Sequence, residues 1–126
     1  MSRDHRKLKV FHRADELILA VYSKTAMFPR EERFNLCAQV RRSAVSVATN
    51  VVEGCARRTT REYINFINIA TGSAAETLYL LGLSHRLGFV TAEVYREFDI
   101  KYNRLLAGLQ KLQHSLAADA DLKPEP

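Results

Sequence analysis

Between Pro29 and Gly54 the chain carries its longest stretch in which apolar spacing, polar placement and stop signals agree on one helix. Leu36, Cys37, Val40, Ser43, Ala44, Val47, Ala48 and Val51 recur at three- and four-residue steps, which stack side chains on one helical face. Phe28-Pro29-Arg30-Glu31-Glu32 reads as the start, since proline is tolerated in a first turn and carboxylates suit the positive end of the helix dipole. Gly54 reads as the stop. Val45 and Val52 widen the apolar arc past half the circumference, more than a helix covered on one side needs. Such a helix requires neighbours on two sides, and the narrow polar strip of Asn35, Arg42, Ser46, Thr49 and Glu53 leaves little of it for water.

The rest of the chain supplies those neighbours. After a basic lead-in over residues 1–9, Val10, Ala14, Leu17, Ile18, Val21 and Tyr22 predict a one-sided helix to Thr25, joined to the central helix by 26–28 and therefore antiparallel to it. Past Gly54, Thr59 and Glu62 have the spacing of a capping box, opening a third helix that runs to about Leu87. From Tyr63 to His85 its only formal charge is Glu76, so it should be covered nearly all round. Gly72, Ala75 and Gly82 fall towards its outer side, where small residues let another backbone approach. Gly88 suits a left-handed cap and Thr91 the N-cap of a fourth helix, whose seam is Tyr95, Phe98, Tyr102, Leu105, Leu109, Leu112 and Leu116. The expectation is an all-α, antiparallel up-down-up-down four-helix bundle over residues 10–117, with a flexible tail over 118–126. The surplus of apolar surface on the second and third helices points to self-association.

Chemistry is harder to find. With 126 residues, 47% hydrophobic and 26% charged, the chain has the size and balance of one globular domain. No glutamate stands three residues before any of His5, His12, His85 and His114, which removes the di-iron bundle pattern. No Cys-x-x-Cys, glycine-rich phosphate loop or Gly-x-Ser-x-Gly occurs. The expectation is therefore a non-enzyme with no cofactor, no metal and no catalytic residue. Asn65, Asn68, Glu76 and His85 interrupt the most apolar region, and no apolar run of the secretory kind follows Met1, so a cytoplasmic protein that does not enter the membrane is expected. Cys37 within the second helix and Cys55 just past its end would be about 27 Å apart at 1.5 Å per residue, too far for a disulfide.

Several segments, taken in order, carry a resemblance. Leu8-Lys9-Val10-Phe11, Phe28-Pro29 with Glu32, Gln39-Val40-Arg41-Arg42-Ser43-Ala44-Val45-Ser46-Val47, Asn50-Val51-Val52-Glu53-Gly54 and Ile69-Ala70-Thr71-Gly72-Ser73-Ala74-Ala75-Glu76 resemble the proteins encoded by intervening sequences in bacterial 23S ribosomal RNA genes. That family includes the accessory variability proteins of diversity-generating retroelements, and the match covers residues 8–116. Phe11 departs from the tryptophan common in relatives and keeps an aromatic there. The resemblance implies a four-helix bundle assembled as a homopentamer. For the retroelement branch alone it also implies binding to nucleic acid and to a reverse transcriptase.

The net charge of +5 permits a polyanionic partner without requiring one. Its excess is N-terminal: residues 1–30 carry seven Lys and Arg against three Asp and Glu. Arg3, Arg6, Lys7, Lys9 and Arg13 read as a basic arm for RNA or DNA, or as a solubilising tail. Arg57, Arg58 and Arg61 read as a phosphate-contacting cluster, or as a solvated loop paired to Glu53 or Glu62. Arg41, Arg42, Asn50, Glu53 and Glu76 read as a structural polar network, with Glu53 pairing to a nearby Arg, Asn50 bonding across helices, and Arg41 and Arg42 forming an inter-helix or inter-subunit pair with Glu76; a ligand site is the alternative for Asn50 and Glu53. Two function classes follow: a basic oligomeric platform for RNA or DNA, and a protein-interaction scaffold whose charge is incidental.

Overall fold

The computed structural model describes residues 3–122, and within them the fold is all helical. Four long helices, α1 (Lys9–Thr25), α2 (Leu36–Ala56), α3 (Thr60–Arg86) and α4 (Ala92–Leu122), each touch the next, and α1 closes the ring against α4. Cross-helix pairs show that sequential helices run antiparallel. Arg41 near the start of α2 reaches Thr25 at the end of α1, Ser43 and Ser46 of α2 meet Thr77 and Ser73 of α3, and Gln113 of α4 reaches Asn68 of α3. The expected four-helix bundle is present. Among the described residues no helix is long and apolar enough to cross a membrane.

The core follows the expected seams. Val10, Ala14, Leu17 and Val21 of α1 are buried, and on α4 every seam residue from Phe98 to Leu116 is buried, Leu105 and Leu109 completely. On α3 the buried line is Tyr63, Ile67, Ala70, Ala74, Thr77, Leu81 and Ser84, which leaves Ile69 partly exposed beside the inner face and not on it. Thr59 caps α3 as expected, accepting from the Glu62 N–H at 3.1 Å while the Glu62 carboxylate takes the Thr59 hydroxyl at 3.1 Å. At the other end Gly88, φ 83°, donates to His85 O and Phe89 donates to Ser84 O, both at 2.9 Å. This pair of bonds is the Schellman closure that a left-handed glycine permits.

Four features differ from the sequence reading. The central helix begins at Leu36 and not at Pro29: Arg30–Glu32 form a separate 3-10 turn, and Asn35 sits at φ −112°, ψ −104°, off the helical path. Phe28 explains the break, because its ring is buried against Phe89 at 5.5 Å between centroids and holds the connection across the bundle end, so the chain must turn again before α2 can run along the core. Gly54 does not stop the helix, which continues to Ala56. A Cβ there would lie 3.1 Å from Phe66 Cβ and 3.1 Å from Tyr63 Cδ1, so the glycine is what lets α2 and α3 approach. Cys55 thus lies inside α2, and both cysteines are buried free thiols. Gly82 is covered by the Tyr95 hydroxyl of α4, whereas Gly72 and Ala75 do face outward. Finally, α4 extends through Leu122, past the expected bundle limit at 117, while 123–126 lie outside the described residues.

Candidate nucleic-acid interface

One end of the bundle gathers the N-terminal segment, the end of α2 and the start of α3. Leu8 is buried, and the turn His5–Lys7 before it is pinned by His12, whose Nε2 stands 2.6 Å from Arg6 O. The residues from Arg3 onward are therefore docked on the bundle. Arg3 donates to the Arg57 carbonyl at 3.0 Å and to Thr60 Oγ1 at 3.4 Å, with its guanidinium 5.2 Å from the Tyr63 ring centroid. Two basic segments more than fifty residues apart in sequence thus become one surface.

Within that surface the side chains divide by use. Arg57 lies over the Phe66 ring at 4.5 Å and within 4.0 Å of Glu53, both ends of that pair being solvent-exposed, which makes it a weak tether. Arg58 is exposed in the same loop and Arg61 on the first turn of α3, while Lys7 and Lys9 are exposed on the docked segment and at the start of α1. Arg6 is committed elsewhere: its Nε donates to Asp4 Oδ1 at 2.9 Å, its Nη2 to Oδ2 at 3.1 Å and its backbone N–H to Oδ1 at 3.0 Å. Those hydrogen bonds hold the Asp4 carboxyl at about 2 and raise the Arg6 guanidinium. Arg13 stands apart, along the groove between α1 and α4. There it joins Lys101 and Arg104, with Glu16 as the carboxylate of that lining, in a cavity of about 200 Å³. Spacing along α4 marks Lys101, Arg104 and Lys111 only as solvent charges on a one-sided helix; which of them meets α1 depends on the α1/α4 register.

Within one chain the polar network matches the expectation at Glu53, which pairs with Arg57 at 4.0 Å, and differs at Asn50 and Arg41. Arg41 braces α1, its Nε donating to Thr25 Oγ1 at 2.8 Å, one terminal nitrogen to Tyr22 O at 3.3 Å, and its plane 4.5 Å from the Tyr22 ring centroid. Arg42 and Glu76 are exposed, and no ion pair among the described residues joins Arg41 or Arg42 to Glu76. Asn50 bonds within its own helix, to Ser46 O at 2.8 Å and Ser46 Oγ at 3.0 Å, and it is Ser46 that crosses to Ser73 Oγ at 2.9 Å. One turn further the Ser43 and Thr77 hydroxyls stand 2.9 Å apart, and Thr77 also serves the buried Tyr102 hydroxyl, whose pKa burial pushes up. Between α2 and α3 the apolar seam is therefore threaded by hydroxyls small enough to be satisfied locally.

At the basic end, burial pushes up the Cys55 thiol and the Tyr63 hydroxyl, which are joined at 3.4 Å, so neither is an activated nucleophile or base at neutral pH. Among the described residues no group of three or more His, Cys, Asp or Glu side chains stands together as a metal site. What the arrangement can do is present exposed guanidinium and ammonium groups to phosphate oxygens.

A family model described as 23S rRNA-intervening sequence protein matches residues 6–111. A crystal structure of a protein of unknown function from the S23 ribosomal protein family of Bacteroides thetaiotaomicron superposes with a TM-score of 0.77 at 25% identity, covering 82% of this chain and 97% of its own. No curated protein matches.

Proposed function

For a chain that belongs to the 23S rRNA-intervening sequence protein family, we propose a non-catalytic role as a self-associating bundle whose basic end holds the phosphate backbone of RNA or DNA. The observation that carries the reading is the seating of Arg3 on the Arg57 carbonyl at 3.0 Å, which joins the N-terminal segment to the Arg57–Arg61 loop. Phosphate contacts of this kind position a nucleic acid and carry little sequence information. Self-association is supported by the outer side of α3, where Ile69 and Tyr79 are 44% and 61% exposed beside Gly72 and Ala75. The resemblance to the family implies five subunits, and five copies of one basic end would reinforce one another's field.

The test is binding to mixed-sequence RNA and to duplex DNA across a salt series. Changing Arg57, Arg58 and Arg61 together to Gln should weaken both about equally and flatten the salt slope by roughly 0.7 to 0.9 for each phosphate no longer neutralised. Mass in the same sample should stay near five chains, since weaker avidity would otherwise imitate weaker phosphate binding. A wild-type protein that binds neither nucleic acid at low salt overturns the reading in favour of a protein-interaction scaffold. A clean monomer overturns the assembly.

A further inference from the structure

The end of the bundle opposite the basic loop holds a cavity of about 360 Å³, where Arg30 and Arg33 of the α1–α2 connection and Arg41 of α2 line the space above Thr25 and Cys37. No carboxylate lines it, and among the described residues none of the three guanidinium groups makes an ion pair. Glu31 and Glu32, though adjacent in sequence, are not part of the lining. Three guanidinium groups around one recess can attract a bound anion together.

The floor of the cavity is built and fixed. The buried Thr25 hydroxyl donates to Val21 O at 2.7 Å and accepts from Arg41 Nε at 2.8 Å, and the Cys37 thiol donates to Thr25 O at 3.7 Å. With Tyr22 O taking one more of its protons, Arg41 is clamped in place, and roughly three of the five N–H donors of its fork stay unused. Arg30 and Arg33 are exposed, Arg33 with its guanidinium 5.7 Å from the centroid of the exposed Phe34 ring, and both can reach a guest. Phe28 and Pro29 add an apolar wall, so the recess combines a rigid fork, two exposed ones and a surface for a ring or carbon skeleton.

We propose that this cavity binds a phosphate monoester, either a free mononucleotide-sized molecule or the terminal phosphate of a nucleic acid strand. A monoester carries about −1.5 to −2 charge at pH 7 and three acceptor oxygens, which matches three guanidinium forks. An internal phosphodiester carries a single charge and only two unesterified oxygens, a poorer match to three guanidinium forks. The site lies at the other end of the molecule from the Arg57–Arg61 loop and stands whether or not that loop binds nucleic acid.

The experiment is calorimetric titration of the full chain with inorganic phosphate, with 5′-AMP and with adenosine. Phosphate and 5′-AMP should saturate a site that adenosine does not occupy. The double variant Arg30→Gln with Arg33→Gln changes two exposed side chains, so the fold should persist, and it should weaken 5′-AMP by at least about tenfold for the loss of charge-assisted bonds. Lys111→Gln, an exposed charge on α4 that belongs neither to this cavity nor to the Arg57–Arg61 surface, should leave 5′-AMP binding unchanged. Absence of phosphate and 5′-AMP binding overturns the proposal, as does equal binding by the double variant or an equal loss in Lys111→Gln, which would mean general charge attraction. A last arm compares one short oligonucleotide with a 5′-phosphate and with a 5′-hydroxyl. A preference for the phosphorylated strand that the double variant abolishes identifies a strand terminus as the guest, and 5′-AMP binding without that preference identifies a free phosphate ester, both upholding the cavity.

Discussion

Replacing Gly54 and Gly72 separately by Ala isolates the cost of the close approach between α2 and α3. Both glycines lie inside helices, Gly88 being the glycine with positive φ, so each substitution gains the same intrinsic preference of about 0.5 to 1 kcal/mol. At Gly72 an added Cβ meets nothing within 4 Å. At Gly54 it lies 3.1 Å from Phe66 Cβ, 3.1 Å from Tyr63 Cδ1 and 3.3 Å from the Tyr63 carbonyl oxygen. Carbon atoms prefer about 3.5 to 4.0 Å, so each contact is short by several tenths of an ångström.

The position of those neighbours decides the sign. Phe66 Cβ and the Tyr63 carbonyl are set by the backbone of α3 and cannot rotate away, and the Tyr63 ring is fully buried. Helix α3 must therefore shift bodily, an overpacking cost of about 1 to 3 kcal/mol. Because Gly72 lies on the face proposed for self-association, the comparison is made between samples of equal mass, in which Gly72→Ala should stabilise by about 0.5 to 1 kcal/mol and Gly54→Ala should range from neutral to about 2.5 kcal/mol destabilising. The difference between them, about 1 to 3 kcal/mol, does not depend on the propensity value because that contribution cancels. Urea unfolding followed by circular dichroism, at one protein concentration and with the mass of each sample measured, reads this difference directly. Equal stabilisation by the two substitutions would refute the close-approach account of Gly54.

Two further outcomes follow from burial and charge. Leu109 is fully buried on the α4 seam and Lys111 exposed beside it, so in the same melts Leu109→Ala should cost about 2 to 5 kcal/mol and Lys111→Ala within about 0.5, and equal losses would put the phase of α4 in error. Asp4 is held at about 2 by Arg6, below its unfolded value, so its contribution to docking the N-terminal turn is present above about pH 4 and lost as pH falls towards 2. Amide exchange around Arg6 and Leu8 should quicken over that window relative to the α4 core, and Asp4→Asn should remove the pH dependence; protection that is unchanged between about pH 5 and 2.5 would sink it.

The periodicity of the chain by itself determined four helices, their order and most of the core, because a side chain's burial in a bundle depends chiefly on its angle around its own helix, and that angle is written in the spacing of residues such as Leu105, Leu109, Leu112 and Leu116. Local hydrogen bonding likewise made the caps at Thr59, Gly88 and Thr91 legible, since each depends on near neighbours in the chain. What the tertiary structure alone decided is whatever depends on which helix lies alongside. Gly54 has the sequence signature of a stop and serves as a contact, because Phe66 and Tyr63 arrive from another helix. Pro29 looks like a helix start, yet the Phe28–Phe89 contact turns the chain aside until Leu36. The same holds for the charges: Arg3 meets the Arg57 loop, and Arg41 joins Arg30 and Arg33 around one cavity, through contacts set by the register of α1 against α2 and by docking of the N-terminal segment. Spacing along the chain encodes faces of helices, whereas a site assembled from several helices exists only once those faces have been brought together.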